Sequence, residues 1–164
     1  SKETFHGYDD GGVGYEFLRK DISENDFKAR GADIDIDEIY ISDGAKCDTG
    51  NIQEIFSQNI TVAIPDPVYP VYVDTNVMAG RTGNFLEGRY EGITYLECRP
   101  ENGFVPQLPS KPVDLIYLCS PNNPTGNAIK RADIERLVQE FKGIVVIDEA
   151  YMDFCDSGSN LPLI

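Results

Sequence analysis

Two nearly continuous apolar segments, separated by one helical segment, constrain the fold more than any other feature of the sequence. The apolar segments are residues 114–119 and 143–148, and residues 133–141 between them have helical periodicity. Strands that are apolar on both faces are typical of parallel sheets covered by helices. A strand, a helix and a second strand then form a right-handed parallel crossover. The sequence therefore predicts an α/β fold with a mostly parallel sheet flanked by helices.

The remaining elements are predicted from shorter patterns. We expect a helix over 14–24, a strand over 38–42, a turn over 43–50 that leads into a second helix, a strand over 61–64 that stops at Pro65-Asp66-Pro67, and a loop-rich stretch over 80–110.

The composition excludes several classes of function. The chain has 164 residues, enough for one domain with a core, and its net charge of −14 without a Lys/Arg cluster argues against binding nucleic acid. The four cysteines form no C-x-x-C pair, so we expect reduced thiols and no metal site. No apolar run approaches the ~20 residues of a membrane span, and the N-terminus lacks a signal-peptide pattern. We therefore expect a cytoplasmic protein with neither a membrane nor a nucleic-acid partner.

Polar and aromatic residues stand where the predicted strands end. In open α/β sheets, ligands bind beyond the carboxyl ends of the strands. Four such ends are notable: residues 43–46 (DGAK), 66–69 (DPVY), 120–126 (SPNNPTG) and 148–151 (DEAY). We therefore expect the functional site at this edge of the sheet.

Asp148 and the turn at Gly44 each have two interpretations. A carboxylate at the end of a buried strand is costly unless a cation or several donors meet it, and a protonated ring nitrogen would be such a partner. Asp148 also fits a turn cap or a metal-binding acid. Gly44 and Ala45 precede a helix and suit a phosphate, but a plain glycine turn with an Asp cap also explains them, since a lone glycine loop is a weak motif.

Tyr69, Asn123 and Tyr151 suit the binding of an aromatic cofactor. Tyr69 offers a flat face, and Asn123 and Tyr151 offer hydrogen bonds to a phenolic oxygen. The alternatives are a packed aromatic for Tyr69 and an ordinary turn for the Asn-Pro-Gly sequence around Asn123.

SPNNPTG at 120–126 followed by DEAY at 148–151 resembles the fold-type I pyridoxal-phosphate-dependent aminotransferases. The runs at 41–56, 64–83 and 101–109 are similar to LL-diaminopimelate aminotransferases, so the resemblance covers nearly the whole chain. It implies that residues 1–164 are an incomplete pyridoxal-phosphate-binding large domain, and that the small C-terminal domain is absent.

The resemblance also implies roles for individual residues. The substrate contacts that it implies are Lys46, Tyr69 and Asn123, each of which is a cofactor contact as well. Tyr8 matches a tyrosine that such enzymes lend to the cofactor phosphate of the neighbouring subunit, which implies a homodimer. The remaining cofactor contacts are Ala45 and Lys46 with the phosphate, Tyr69 stacked on the ring, Asn123 and Tyr151 with the ring hydroxyl oxygen, and Asp148 with the ring nitrogen.

The implied reaction is amino transfer from an LL-diaminopimelate-like amino acid to a 2-oxo acid such as 2-oxoglutarate, in lysine biosynthesis. Residues 145–154 are also similar to histidinol-phosphate aminotransferases, which makes another amino donor the alternative. The sequence contains no Ser-x-x-Lys motif, so we expect the Schiff-base lysine to be missing and this chain alone to be inactive.

Two other functions compete with this one. A nucleotide hydrolase would account for four apolar residues followed by Asp148 and Glu149, but the chain lacks the Gly-Lys-Ser/Thr phosphate loop that such enzymes need. A catalytically inactive module that binds pyridoxal phosphate or another phosphate would account for the missing lysine.

Overall fold

The chain divides into two units, each of which is described by itself. The computed structural model describes residues 11–156 and 158–163. The first unit takes in described residues up to Asp48 and from Ser159 onward, and the second comprises Thr49–Gly158. The helices and strands are α1 (Glu16–Asp21), α2 (Ala45–Asn51), β1 (Val62–Asp66), α3 (Val71–Met78), β2 (Phe85–Leu86), β3 (Arg89–Tyr90), β4 (Ile93–Glu97), β5 (Leu115–Cys119), α4 (Arg131–Glu140) and β6 (Ile144–Asp148). Short 3₁₀ or π turns cover Ile22–Phe27, Lys28–Arg30, Ile36–Glu38, Ile52–Ile55, Pro100–Asn102, Met152–Phe154 and Leu161–Leu163.

Four strands in the order β4-β1-β5-β6 form the sheet of the second unit. Every neighbouring pair in this sheet is parallel. All five residues of β5 are buried, as its apolar sequence predicts. The two strands of the predicted crossover, β5 and β6, are adjacent and are joined through α4. The prediction of an α/β fold with a parallel sheet and flanking helices is confirmed.

Tyr72 and Tyr117 form the centre of the core between β5 and α3. Each is 1% exposed, and their ring centroids lie 5.1 Å apart. Both hydroxyls find partners, as buried tyrosines require. The hydroxyl of Tyr117 accepts a hydrogen bond from Nε2 of Gln53 at 2.7 Å, and Tyr72 bonds a residue at the sheet edge that is described below.

Arg81 is buried without a carboxylate partner among the described residues. Its guanidinium instead donates to the side-chain oxygen of Gln53 and, at 2.8 to 3.1 Å, to the carbonyl oxygens of Gln53, Phe56 and Ser57. These carbonyls lie in and just after the turn Ile52–Ile55, so a charged donor satisfies acceptors that a helix end leaves open.

Asp114 joins the amino ends of β1 and β5. Its Oδ2 accepts hydrogen bonds from the backbone N–H of Thr61 at 2.7 Å and from the hydroxyl of Thr61 at 2.8 Å. These two donors, the backbone N–H first, hold the pKa of Asp114 below its usual value.

Two sequence predictions about the strands need correction. Residues 38–42 form no strand: Glu38 ends the 3₁₀ turn Ile36–Glu38, and Ile41 makes one backbone bond, to Val13 at 2.9 Å, rather than a ladder. The strand predicted over 61–64 covers Val62–Asp66, so it passes Pro65 and ends inside the Pro65-Asp66-Pro67 segment. The carbonyl of Asp66 accepts a hydrogen bond from the N–H of Cys98, on the β4 side of the strand. The backbone of Pro65, one residue earlier, therefore faces β5, where the pairing already ends at Ala63 and no N–H is needed.

The stretch over 80–110 is less irregular than predicted. It contains the short β2–β3 hairpin and the whole of β4, which pairs with β1 over five residues. Strand β6 is also more open than its apolar sequence predicts. It is the last strand of the described sheet, Ile144 is 49% exposed, and the other four residues of the strand are half-buried.

In the first unit, helical turns from α1 to Arg30 replace most of the predicted 14–24 helix and extend beyond it. The predicted apolar face is only partly used, since Phe17 is 72% exposed and stacks on Tyr15 at 5.7 Å. The side chain of Arg19 ties this helix to the following segment through the carbonyl of Ile36 at 2.8 Å.

Candidate functional site

Strands β1, β5 and β6 lie side by side, so their carboxyl ends form one edge of the sheet. Hydrogen bonds join the segments beyond them. The N–H of Ser120 donates to the carbonyl of Asp148 at 3.0 Å. The side-chain amide of Asn122 donates to the carbonyl of Pro67 at 3.1 Å. The three predicted strand ends of this unit, 66–69, 120–126 and 148–151, are therefore neighbours.

The carboxylate of Asp148 is held at both oxygens. The hydroxyl of Tyr72 donates to Oδ2 at 2.6 Å, and the backbone N–H of Ala150 donates to Oδ1 at 2.9 Å. The side chain is half-buried at the last position of β6. Two donors on separate oxygens fix the orientation of a carboxylate and leave lone pairs for a further donor.

Tyr72 was not predicted as a site residue. It lies in the first turn of α3, three residues after Tyr69, and nothing in its local sequence distinguishes it from an ordinary core aromatic. Burial, followed by the hydrogen bonds to Asp148 and to Cys119, raises the pKa of Tyr72 far above its usual value. The phenol is therefore a neutral donor at any physiological pH.

Cys119 completes this buried group beside Tyr72. Burial raises the pKa of its thiol above the usual value, and Sγ lies 3.4 Å from the carbonyl oxygen of Pro121. The thiol is therefore protonated at neutral pH and brings no charge next to Asp148.

A cavity of about 390 Å³ lies beside the loop that follows β5. Asn123 and Tyr151, both predicted to bind a ring hydroxyl oxygen, line it together with Asn122. Oδ1 of Asn122 is buried and has no hydrogen-bond partner among the described residues. The volume falls within the range of about 300–1,000 Å³ that is typical of small-molecule sites.

Tyr69 lies between β1 and α3 and is half-buried against the core of the sheet. Neither Tyr69 nor Asp148 is among the residues that line the cavity. The structure therefore places Asn123 and Tyr151 at one cavity, Tyr69 just after β1, and Asp148 at the end of β6, with β5 between these two strands.

Ala45 and Lys46 lie in the first unit, in the opening turn of α2. The sequence predicted a turn through residue 50, but the helix begins at Ala45, directly after Gly44. Gly44 has a φ of 116°, and a Cβ there would meet nothing within 4 Å. Lys46 is exposed and Ala45 is half-buried. Tyr8 lies outside the described residues.

Charged side chains surround the ends of β1 and β4. None of them was predicted from the sequence as a site residue. Arg89 donates to Asp66 at 2.6 Å and lies 3.5 Å from Glu97. Arg99 donates to Glu97 at 2.8 Å, and this pairing, ahead of the one with Arg89, holds the pKa of Glu97 below its usual value. The edge beside the candidate site thus carries paired charges of both signs.

Among residues 11–156 and 158–163, no three metal-ligating side chains are grouped so that they could hold a metal ion. Over the same part of the chain, no helix has both the length and the apolarity that crossing a membrane requires. All four cysteines are free thiols.

Comparison with known proteins connects this geometry to one family. Residues 3–162 match the family model described as "Aminotransferase class I and II". LL-diaminopimelate aminotransferases from Desulforapulum autotrophicum and Desulfotalea psychrophila are each 61% identical over 154 residues, which is 92% of this chain. The chain spans only 37% and 38% of the length of these curated relatives.

Two solved structures have the same fold. The L,L-diaminopimelate aminotransferase from Chlamydomonas reinhardtii matches with a TM-score of 0.85 and 40% identity, over 99% of this chain and 41% of that one. An aspartate aminotransferase from Thermotoga maritima matches with a TM-score of 0.81 over 99% of this chain and 44% of that one. Its 23% identity carries the comparison of fold alone.

Proposed function

Because this chain belongs to the class I and II aminotransferases, we propose that it supplies the pyridoxal-phosphate cradle of an LL-diaminopimelate aminotransferase. The observation that carries the proposal is Asp148, whose carboxylate is held by Tyr72 and Ala150 at the edge of a parallel sheet. An oriented carboxylate is the group that a protonated pyridine nitrogen requires. The identity of 61% to enzymes of that name supports the choice of substrate.

The donors and acceptors at the sheet edge fit the cofactor. Asp148 would hold the ring nitrogen, Tyr69 would cover a ring face, and Asn123 and Tyr151 would bond the ring hydroxyl oxygen. The unpartnered oxygen of Asn122 beside the same cavity indicates a site that still needs a donor. When bound, pyridoxal phosphate supplies an electron sink for the substrate carbon that loses its proton.

The opening turn of α2 would serve the cofactor phosphate. We propose that Ala45 and Lys46 contact the phosphate, and that Lys46 also lies near the substrate. Lys46 supplies positive charge from an exposed position, and Gly44 leaves its surroundings open to an anion. Substrate contacts of Tyr69 and Asn123 are part of the same proposal.

We further propose that residues 1–164 are an incomplete large domain and that the lysine which carries the cofactor lies in sequence outside them. The 37% coverage of the relatives and the lack of a Ser-x-x-Lys motif support this. A homodimer, with Tyr8 serving the neighbouring subunit, and a cytoplasmic location complete the proposal. The four free cysteines support a reducing compartment.

The experiment uses the protein expressed from its complete reading frame. Apo-protein is titrated with pyridoxal phosphate and then assayed with 2-oxoglutarate and, in turn, LL-diaminopimelate, aspartate or histidinol phosphate as amino donor. We expect binding of the cofactor and a clear preference for LL-diaminopimelate. Preference for histidinol phosphate would overturn the substrate assignment, and failure to bind the cofactor would overturn the proposal as a whole.

Two variants test the residues of the cradle. Tyr151→Phe removes only the hydroxyl that would bond the ring oxygen, so we expect weaker cofactor binding by roughly tenfold, the usual effect of one lost hydrogen bond. Tyr40→Phe, which changes an exposed tyrosine outside the cradle, is the matched control. Equal affinities in the two variants would remove Tyr151 from the site.

A further inference from the structure

Tyr72 is not among the residues that line the cavity, yet its hydroxyl donates a short hydrogen bond to Asp148, 2.6 Å from Oδ2. The ring is 1% exposed and packs on Tyr117 at 5.1 Å, so the hydroxyl has little freedom to move. A phenol fixed in this way sets the position of the carboxylate that it bonds.

The two donors to Asp148 differ in origin. Ala150 donates from the backbone, two residues along the chain, and any residue except proline at that position would provide the same N–H. Tyr72 donates from α3, 76 residues away in sequence. The side chain of Tyr72 therefore ties the end of β6 to a different element and can be removed by a single substitution.

The other side chains near this contact do not replace Tyr72 as the hydrogen-bond donor to Asp148. Among the described residues, Cys119 is the other titratable side chain that interacts with both Tyr72 and Asp148. Its thiol is protonated because of burial, and an S–H group is a weak hydrogen-bond donor. Tyr117, the neighbouring buried tyrosine, directs its hydroxyl to Gln53 instead.

We infer that Tyr72 is a positioning residue, whose hydroxyl orients the carboxylate of Asp148 toward the ring nitrogen of pyridoxal phosphate. This inference rests on the proposed function. It assigns Tyr72 no contact with substrate or cofactor, and the effect of Tyr72 acts through Asp148 alone. Removing the hydroxyl of Tyr72 should therefore weaken the interaction of Asp148 with the ring nitrogen and leave the contacts to the phosphate and the ring hydroxyl oxygen unchanged.

The test measures binding to the apo form of the protein expressed from its complete reading frame. The ligands are pyridoxal phosphate and 1-deaza-pyridoxal phosphate, in which a carbon replaces the ring nitrogen. Tyr72→Phe keeps the ring and removes the hydroxyl. We expect it to weaken binding of pyridoxal phosphate about tenfold, the effect of losing one hydrogen bond to a charged group, and to change binding of the deaza compound less than about twofold.

Tyr117→Phe is the matched control, because it removes the hydroxyl of the neighbouring buried tyrosine without touching Asp148. We expect it to act equally on both ligands. In an Asp148→Asn background, Tyr72→Phe should have no further effect on the preference between the ligands, since the two residues act as one unit. An equal loss for both ligands in Tyr72→Phe, or an undiminished effect in the Asp148→Asn background, would overturn the inference.

The outcomes separate this inference from the function on which it rests. If the wild-type protein binds neither ligand, both the proposed function and the role of Tyr72 are refuted. If the wild-type protein and the Tyr72→Phe variant prefer pyridoxal phosphate to the same extent, only the role of Tyr72 is refuted.

If Tyr72→Phe does not fold, the hydrogen bond is tested in the wild type by NMR. A slowly exchanging, downfield hydroxyl proton of Tyr72 that disappears in Asp148→Asn is the expected result, and its absence from the wild type would refute the contact.

Discussion

Replacing the buried Arg81 by methionine should destabilise the protein strongly, although Arg81 pairs with no carboxylate among the described residues. Two of its hydrogen bonds, to the side-chain and backbone oxygens of Gln53, are buried. Each acceptor left without a donor costs about 1–3 kcal/mol. The two partly buried bonds, to the carbonyls of Ser57 and Phe56, are regained from water and add little. We expect a loss of about 4 kcal/mol in the free energy of unfolding.

The assay is urea denaturation followed by circular dichroism, with Arg131→Met as the matched control. Arg131 bonds Glu135 at 3.2 Å, and the two side chains are 45% and 42% exposed. Pairs of this kind on a helix surface contribute about 0.3–0.5 kcal/mol, so the control should lose about that much. Similar losses in the two variants would refute the argument that burial of the acceptors, rather than the loss of a positive charge, sets the cost.

Three further predictions concern other parts of the chain. Gly143→Ala should lower the free energy of unfolding by about 1–3 kcal/mol, because its Cβ would lie 2.4 Å from the carbonyl oxygen of Asp114. Gly50→Ala in α2, whose Cβ would meet nothing nearer than 4.0 Å, should raise it by up to about 1 kcal/mol. Thermal unfolding compares the two variants, and equal effects would contradict the steric account. Because the pKa of Asp114 is lowered in the folded state, its contribution to stability is present above its usual value of 3.8 and is lost as the pH falls through the folded value. Asp114→Asn should thus be less stable than the wild type at pH 7, in urea unfolding across pH, with a gap that closes below pH 3.8; a gap that persists in acid would refute this. Iodoacetamide at pH 8 should label the exposed Cys47 well before Cys119, whose thiol pKa burial raises; mass spectrometry of the labelled peptides decides, and comparable rates would contradict the assigned burial.

The sequence predicted the parts of the fold that are determined by apolar patterns. Strand β5 and helix α4 follow from local composition, because a buried strand needs apolar residues on both faces and a surface helix needs them on one. Strand β4 was missed, because its Ile-Thr-Tyr-Leu-Glu sequence is short and lies among glycines and prolines that signal loops. The extension of β1 through Pro65 was also beyond local reasoning, since it depends on which neighbour its backbone faces.

The candidate site divides in the same way. Asp148, Asn123 and Tyr151 could be proposed from motifs at strand ends, because such motifs are contiguous in sequence. Tyr72 could not, since its contact with Asp148 joins residues 76 positions apart, and only the packing of α3 on the sheet brings them together. A sequence pattern indicates which groups end the strands, but it does not indicate which core residue orients them.

A line of contacts runs through the second unit from Arg81 to the sheet edge. Arg81 bonds Gln53, Gln53 bonds the hydroxyl of Tyr117, the ring of Tyr117 packs against that of Tyr72, and Tyr72 bonds Asp148. Buried polar groups that are fully partnered make a core more rigid, because each lost contact leaves an unpartnered atom. The same contacts that stabilise the core thus fix the carboxylate at the candidate site. Substitutions along this line should therefore lower stability at every position, but they should alter the preference for a ring nitrogen only where the hydroxyl of Tyr72 or the carboxylate of Asp148 is lost.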